Sequence, residues 1–89
     1  MSRHTVKQAD GSYTAADPAK AIEQLGRLED LCDLLAQEHA ELSSQLEKMR
    51  YDNKTHSVRF KELVVKKLNN ANVLSLLKVH GLFDAEAQA

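Results

Sequence analysis

Residues 49–60 read MRYDNKTHSVRF. Between Tyr51 and Val58 the stretch holds no strongly apolar residue, yet leucine-rich, helix-patterned sequence flanks it on both sides. Its reading decides the fold, because the chain either runs through it as one rod or folds back at it. The register of the upstream helix passes through it unbroken, with Asn53 and Phe60 at a and His56 at d. A rod would therefore carry Asn and His in succession along its seam. Asp52-Asn53 is good turn chemistry, and Ser57 or Thr55 suits the N-cap of a following helix. The sign of the charge also reverses just before the stretch. It is read as the connection of an αα-hairpin.

Upstream, Asp17-Pro18 is a helix start: Asp17 caps free backbone N–H groups, and Pro18 fits the first helical position. From there Leu25, Leu28, Cys32, Leu35, His39, Leu42, Leu46 and Met49 follow at alternating steps of three and four. This is a heptad, with Leu25, Cys32, His39 and Leu46 at a and Leu28, Leu35, Leu42 and Met49 at d. Ile22, Leu31 and Leu34 widen the stripe, as expected where more than one neighbour or an overlying hairpin covers it. Helical from Pro18 to Met49, the segment is about 48 Å long at about 1.5 Å per residue.

Downstream, Phe60, Leu63, Val64, Leu68 and Ala71 fall on one helical face, opposite Arg59, Glu62, Lys66 and Asn69 or Asn70. The run Asn69-Asn70-Ala71-Asn72 predicts a helix end, since asparagine competes locally for backbone hydrogen bonds. Asn72 would cap a third short helix, stopped by Gly81 at C′ with Leu82 meeting Leu77 in a Schellman motif. The two downstream helices are together shorter than the first, roughly 30 Å by the same rise. They leave part of its seam uncovered, which predicts a homo-oligomer, most simply a dimer through helix one. The polar a positions Cys32 and His39 would set its register.

At the N-terminus, Asp10-Gly11 suits a type I′ turn between Thr5–Gln8 and Ser12–Thr14. Residues 1–16 are thus an arm or a short β-hairpin. The expected fold is all-α: a heptad-patterned helix over about 18–50, folded back on a second over about 57–70 and a third over about 73–80. Residues 17–83 form the helical domain and residues 84–89 a frayed tail.

Composition bounds the function. An 89-residue chain has a marginal core unless stapled or oligomeric, and its single cysteine excludes an internal disulfide. One free thiol, no leader-like apolar run and no membrane-length segment predict a cytoplasmic protein without membrane association. The net charge of −1 hides a strong asymmetry: residues 17–47 carry −6 and residues 48–67 carry +5. The two segments neutralise one another in an antiparallel hairpin, or the basic one meets nucleic acid through Lys54, Arg59, Lys61, Lys66 and Lys67, with Tyr51 stacking on a base.

Cys32 and His39 share a helical face, and two copies of each would make a zinc-like set in a symmetric dimer. Their spacing of seven reads better as a thiol and an imidazole in a helical seam. The helix-one acids read as a solvated face without a pocket to separate their pKa values. No phosphate loop, nucleophile constellation or cofactor motif is present, so no enzyme and no cofactor are expected. The run NVLSLLKVHGLF (72–83) is core rather than a membrane anchor, with only Lys78 basic within it.

The run KTHSVRFKELVVKKLNNANVLSLLKVHGL (54–82) resembles the C-terminal part of small helical proteins encoded by prophages and related mobile elements. Lys54, Phe60, Lys61, Glu62, Leu63, Lys67, Leu68, Asn70, Leu74, Leu77 and Gly81 carry the likeness. LGRLEDLCDLL (25–35) is similar to their first helix, so the resemblance spans residues 17–83. It implies a mobile-element context and an accessory, regulatory or host-interfering role, including inhibition of a host defence complex. Action through an unknown protein partner is the first expectation. Nucleic-acid binding by the basic segment is the second, and acidic mimicry of nucleic acid by residues 23–47 the third.

Overall fold

The computed structural model describes residues 3–83. Strands β1 (Val6–Lys7) and β2 (Tyr13–Thr14) precede helices α1 (Pro18–Tyr51) and α2 (Val58–Val79). The chain divides into two compact units, one ending at Asp30 and the other starting at Leu31, and α1 contributes to both.

In the first unit β1 and β2 pair antiparallel, with Val6 opposite Thr14 and Lys7 opposite Tyr13. The expected hairpin forms, but not through a type I′ turn, because Asp10 is not at positive φ. Gln8 N–H donates to the Ser12 carbonyl at 2.8 Å and Gly11 N–H to the Gln8 carbonyl at 3.0 Å. Ala9, Asp10 and Gly11 thus make a three-residue loop whose last member, at φ 89°, supplies the left-handed residue. Asp10 decides this: its Oδ1 accepts the backbone N–H of Ser12 at 2.9 Å and the Ser12 hydroxyl at 2.6 Å. An aspartate that bonds two residues ahead stabilises the turn without entering the left-handed region. The same bonds, the hydroxyl's first, hold the Asp10 carboxyl below its ordinary value. Arg3, His4 and Thr5 line a concavity together with Ala21, Gln24, Leu25 and Leu28 of α1.

Helix α1 begins as its sequence dictates. Asp17 Oδ1 accepts from Lys20 N–H at 3.3 Å, and the Asp17 carbonyl accepts the first helical bond, from Ala21 N–H, at 3.1 Å. Its C-terminus falls where the polar stretch predicts. Asn53 N–H donates to the Arg50 carbonyl and Lys54 N–H to the Met49 carbonyl, at 3.1 and 2.8 Å. These are the two bonds of a Schellman motif. Asn53 occupies the left-handed position at φ 57°, the one non-glycine to do so among the described residues. Ser57, with extended backbone (φ −71°, ψ 150°), then caps α2 by accepting from Phe60 N–H at 3.0 Å. The Ser57 hydroxyl also donates to the Lys54 carbonyl at 2.9 Å, tying the end of one cap to the start of the next.

Helix α2 ends in a second Schellman motif, with Gly81 N–H to the Lys78 carbonyl at 3.0 Å and Leu82 N–H to the Leu77 carbonyl at 2.8 Å. Gly81 sits at φ 74°. The predicted break at residues 69–72 is absent: α2 is one 22-residue helix, and no separate third helix exists within it. Of the three asparagines, Asn70 is engaged away from the local backbone. Its Nδ2 donates to Glu38 Oε2 of α1 at 3.1 Å, so the amide that would compete with the local backbone is engaged across the hairpin. The frayed tail at residues 84–89 lies outside the described residues.

The core of the second unit is small. Leu42, Leu46 and Leu63 are buried together, with Met49 and Phe60 packed against them. The covered positions of α2 are Phe60, Leu63, Lys67, Asn70, Ala71, Leu74 and Leu77. This face keeps Phe60, Leu63 and Ala71 of the one the sequence predicts and leaves its other two members outside. Val64 and Leu68 are 37% and 59% exposed, while Asn70 is buried.

Candidate interaction surfaces

Of the eight heptad positions on α1, Cys32, Leu42 and Leu46 are buried, and Leu28, Leu35, His39 and Met49 are half-buried. Leu25, in the first unit, is 54% exposed. Ile22, Leu31 and Leu34, expected to widen the stripe under a further neighbour, are 70%, 46% and 51% exposed, so the stripe is covered in part only. His39 carries a polar oddity: its Nδ1 is enclosed without a hydrogen-bond partner. The His39 ring borders a shallow groove with Ala36 of α1, Ala71, Leu74, Ser75 and Lys78 of α2, and Phe83. The small side chains Ala36, Ala71 and Ser75 make the depression, and the histidine lends it its one buried nitrogen acceptor or donor.

Helix α2 has a second apolar face. Val58, Val65, Leu68, Leu76 and Val79 are all more than half exposed. At about 3.6 residues per turn they lie on the side of α2 opposite Leu63 and Leu74. Four of the six exposed valine and leucine positions of α2 after Phe60 therefore share this one side. Sequence periodicity missed this because each side of α2 carries enough apolar residues to pass as its core face.

The basic positions do not form one patch. Arg59 and Lys66, seven residues apart, share one side of α2, while Lys61 lies on the other and Lys67 is half-buried. Arg59 forms an exposed ion pair with Glu62 at 3.9 Å, a contact of little energetic weight. Lys54 and Arg59 do come together at the hairpin bend, where they border a concavity with Lys48 and Asp52. Next to it the Arg50 guanidinium lies 5.5 Å from the centre of the Phe60 ring, so the bend is more basic than residues 54–67 alone suggest. Tyr51 is 88% exposed.

Most acids of α1 are solvent-facing, including Glu29, Asp30, Asp33, Glu41 and Glu47. Glu23 is engaged by Arg27 one turn on, at 2.8 Å. Among the described residues no three His, Cys, Asp or Glu side chains converge where they could hold a metal ion. Cys32 and His39 thus lack further ligands among the described residues. No described helix is long and apolar enough to cross a membrane.

No protein-family model, curated protein or solved structure matches this chain.

Proposed function

We propose that this chain is a small, non-enzymatic helical interaction module that acts by binding another protein in the cytoplasm. The observation that carries the reading is the outward apolar face of α2. Exposed large apolar residues scattered singly are ordinary, but a contiguous set along one helix marks a surface that a partner covers. Helix-in-groove and helix-on-helix contacts use this kind of face, with anchors at helical spacing. The resemblance to mobile-element proteins supports an accessory, regulatory or host-interfering role for such binding.

The test is capture of partners from the native cell with and without nuclease, using the wild-type chain and Leu68→Asp. A protein retained by the wild type after nuclease and lost with Leu68→Asp supports the reading. Equal retention by both sinks it.

A second reading has one observation in its favour, the convergence of Lys48, Lys54 and Arg59 at the bend. Nucleic-acid binding there predicts an affinity that falls steeply with salt and is lost when Lys54 and Arg59 are neutralised. Acidic mimicry by α1 predicts the reverse, since such substitutions would leave that activity intact.

A further inference from the structure

The outward face of α2 has an internal order that says what fits it. Val58, Val65, Asn72 and Val79 recur at seven-residue steps, and all four are exposed. Leu68 falls between Val65 and Asn72 at the matching d position, and Leu76 borders the next layer. Valine at a with leucine at d favours two parallel strands, and a single asparagine at a fixes their register. An a-layer asparagine meets its like only when two copies of the helix run parallel and in step. We propose that a second copy of this chain covers this face, joining the two α2 helices as a parallel, in-register two-stranded coil about the Asn72 layer. The inference rests on the interaction-module reading and names one partner for its principal surface.

Charge permits the pairing. The positions flanking this seam, Glu62, Asn69 and Leu76 on one side and Val64, Ala71 and Lys78 on the other, bring no like charges together across it. Lys61, at d in the first turns, is the exception: its aliphatic stem lines the seam and its ammonium faces the partner's Lys61. That repulsion and the serine at position 75 make the coil weak, and added salt should tighten it. Helix α2 is then two-faced, with its Phe60–Leu77 side against α1 and its Val58–Val79 side against its counterpart. The heptad positions of α1 from Leu28 to Met49 are buried or half-buried inside the chain, whereas this face is exposed.

Sedimentation equilibrium from about 10 µM to about 1 mM tests the association. The expected result is a mass that rises with concentration from 9.9 kDa toward twice that value. Val65→Asp, which alters only an exposed side chain, should keep the helicity and abolish the rise. Asn72→Val should tighten association about tenfold or more and loosen its restriction to two strands. Asn72→Cys tests orientation, because facing a-layer positions lie within the roughly 4.4–6.8 Å between Cα atoms that a disulfide spans. It should cross-link under mild oxidation, whereas Lys66→Cys, off the seam, should not. A wild-type control reports any contribution from buried Cys32. A monomer at every concentration overturns the proposal, as does a dimer that Val65→Asp leaves intact or that Asn72→Cys fails to cross-link. The interaction-module reading survives those outcomes if partner capture still depends on Leu68, and falls if it does not.

Discussion

The Glu38–Asn70 contact allows a quantitative test of how α2 stays continuous. The two partners are unequally placed: Asn70 is 8% exposed, whereas Glu38 is half-buried and reaches the edge of the hairpin. Removing Glu38 strands the Asn70 amide in a place water cannot easily supply. An unsatisfied buried donor costs about 1–3 kcal/mol, so Glu38→Ala should destabilise by that amount. Removing Asn70 leaves a carboxylate that can turn to solvent. Only the net value of the bond is lost, about 1.5 kcal/mol, and alanine returns up to about 0.7 kcal/mol of helix propensity. Asn70→Ala should therefore cost less than about 1 kcal/mol. In the double variant the stranded donor is gone too, so its cost should lie near that of Asn70→Ala alone, with a coupling as large as the Glu38→Ala cost, about 1–3 kcal/mol. An 89-residue domain has on the order of 4–13 kcal/mol to lose, so these differences are well resolved by urea unfolding followed by far-UV circular dichroism. The reasoning fails if Asn70→Ala proves costlier than Glu38→Ala, or if the coupling is below about 0.3 kcal/mol.

Other substitutions have equally definite expectations. Leu46 is the most buried core side chain, at 1% exposure, and Leu46→Ala should cost about 2–5 kcal/mol in the same unfolding assay. Gly26 lies inside α1 with nothing within 4 Å of an added Cβ, so Gly26→Ala should stabilise by about 0.5–1 kcal/mol, raising the thermal midpoint. At the left-handed position 53, Asn53→Gly should be neutral or stabilising, while Asn53→Val should cost about 1–2 kcal/mol; equal midpoints for the two would refute the cap assignment. The Asp10 carboxyl is depressed in the folded hairpin, so its contribution is complete above the ordinary carboxylate value. That contribution is lost as pH falls through the lowered folded value. Amide shifts of Ser12 and Gly11 followed by NMR in an acid titration should report that loss, and Asp10→Asn should remove the titration.

Local chemistry was legible in the sequence wherever a residue acts on its own neighbours. Asp17-Pro18 starts α1, Ser57 caps α2, and Gly81 closes it with the expected hydrogen bonds, because capping is settled within five or six residues. The fold-back at Asp52-Asn53 was readable for the same reason, through a left-handed asparagine and a serine cap. The turn at Asp10-Gly11 was readable only as a turn, since the side-chain bonds of Asp10 to Ser12 select among types that share its residues.

Where the helices begin, where the chain turns and the one dominant apolar stripe of α1 are therefore written in residues close together along the chain. Which side of α2 meets that stripe was decided only by the tertiary structure. Helix α2 bears apolar residues on two opposite sides, so periodicity alone cannot rank them: of the predicted face Phe60, Leu63 and Ala71 are covered, while Val64 and Leu68 are left exposed. Leu63 and Phe60 pack with Leu42, Leu46 and Met49 of α1, and the Asn70–Glu38 bond, between residues 32 apart in sequence, lies on this same side, so an asparagine is inside and valines are outside. The same bond engages one asparagine of the run at which local propensity alone would have ended α2. A face exposed in this way is also the surface on which the proposed pairing of two copies depends.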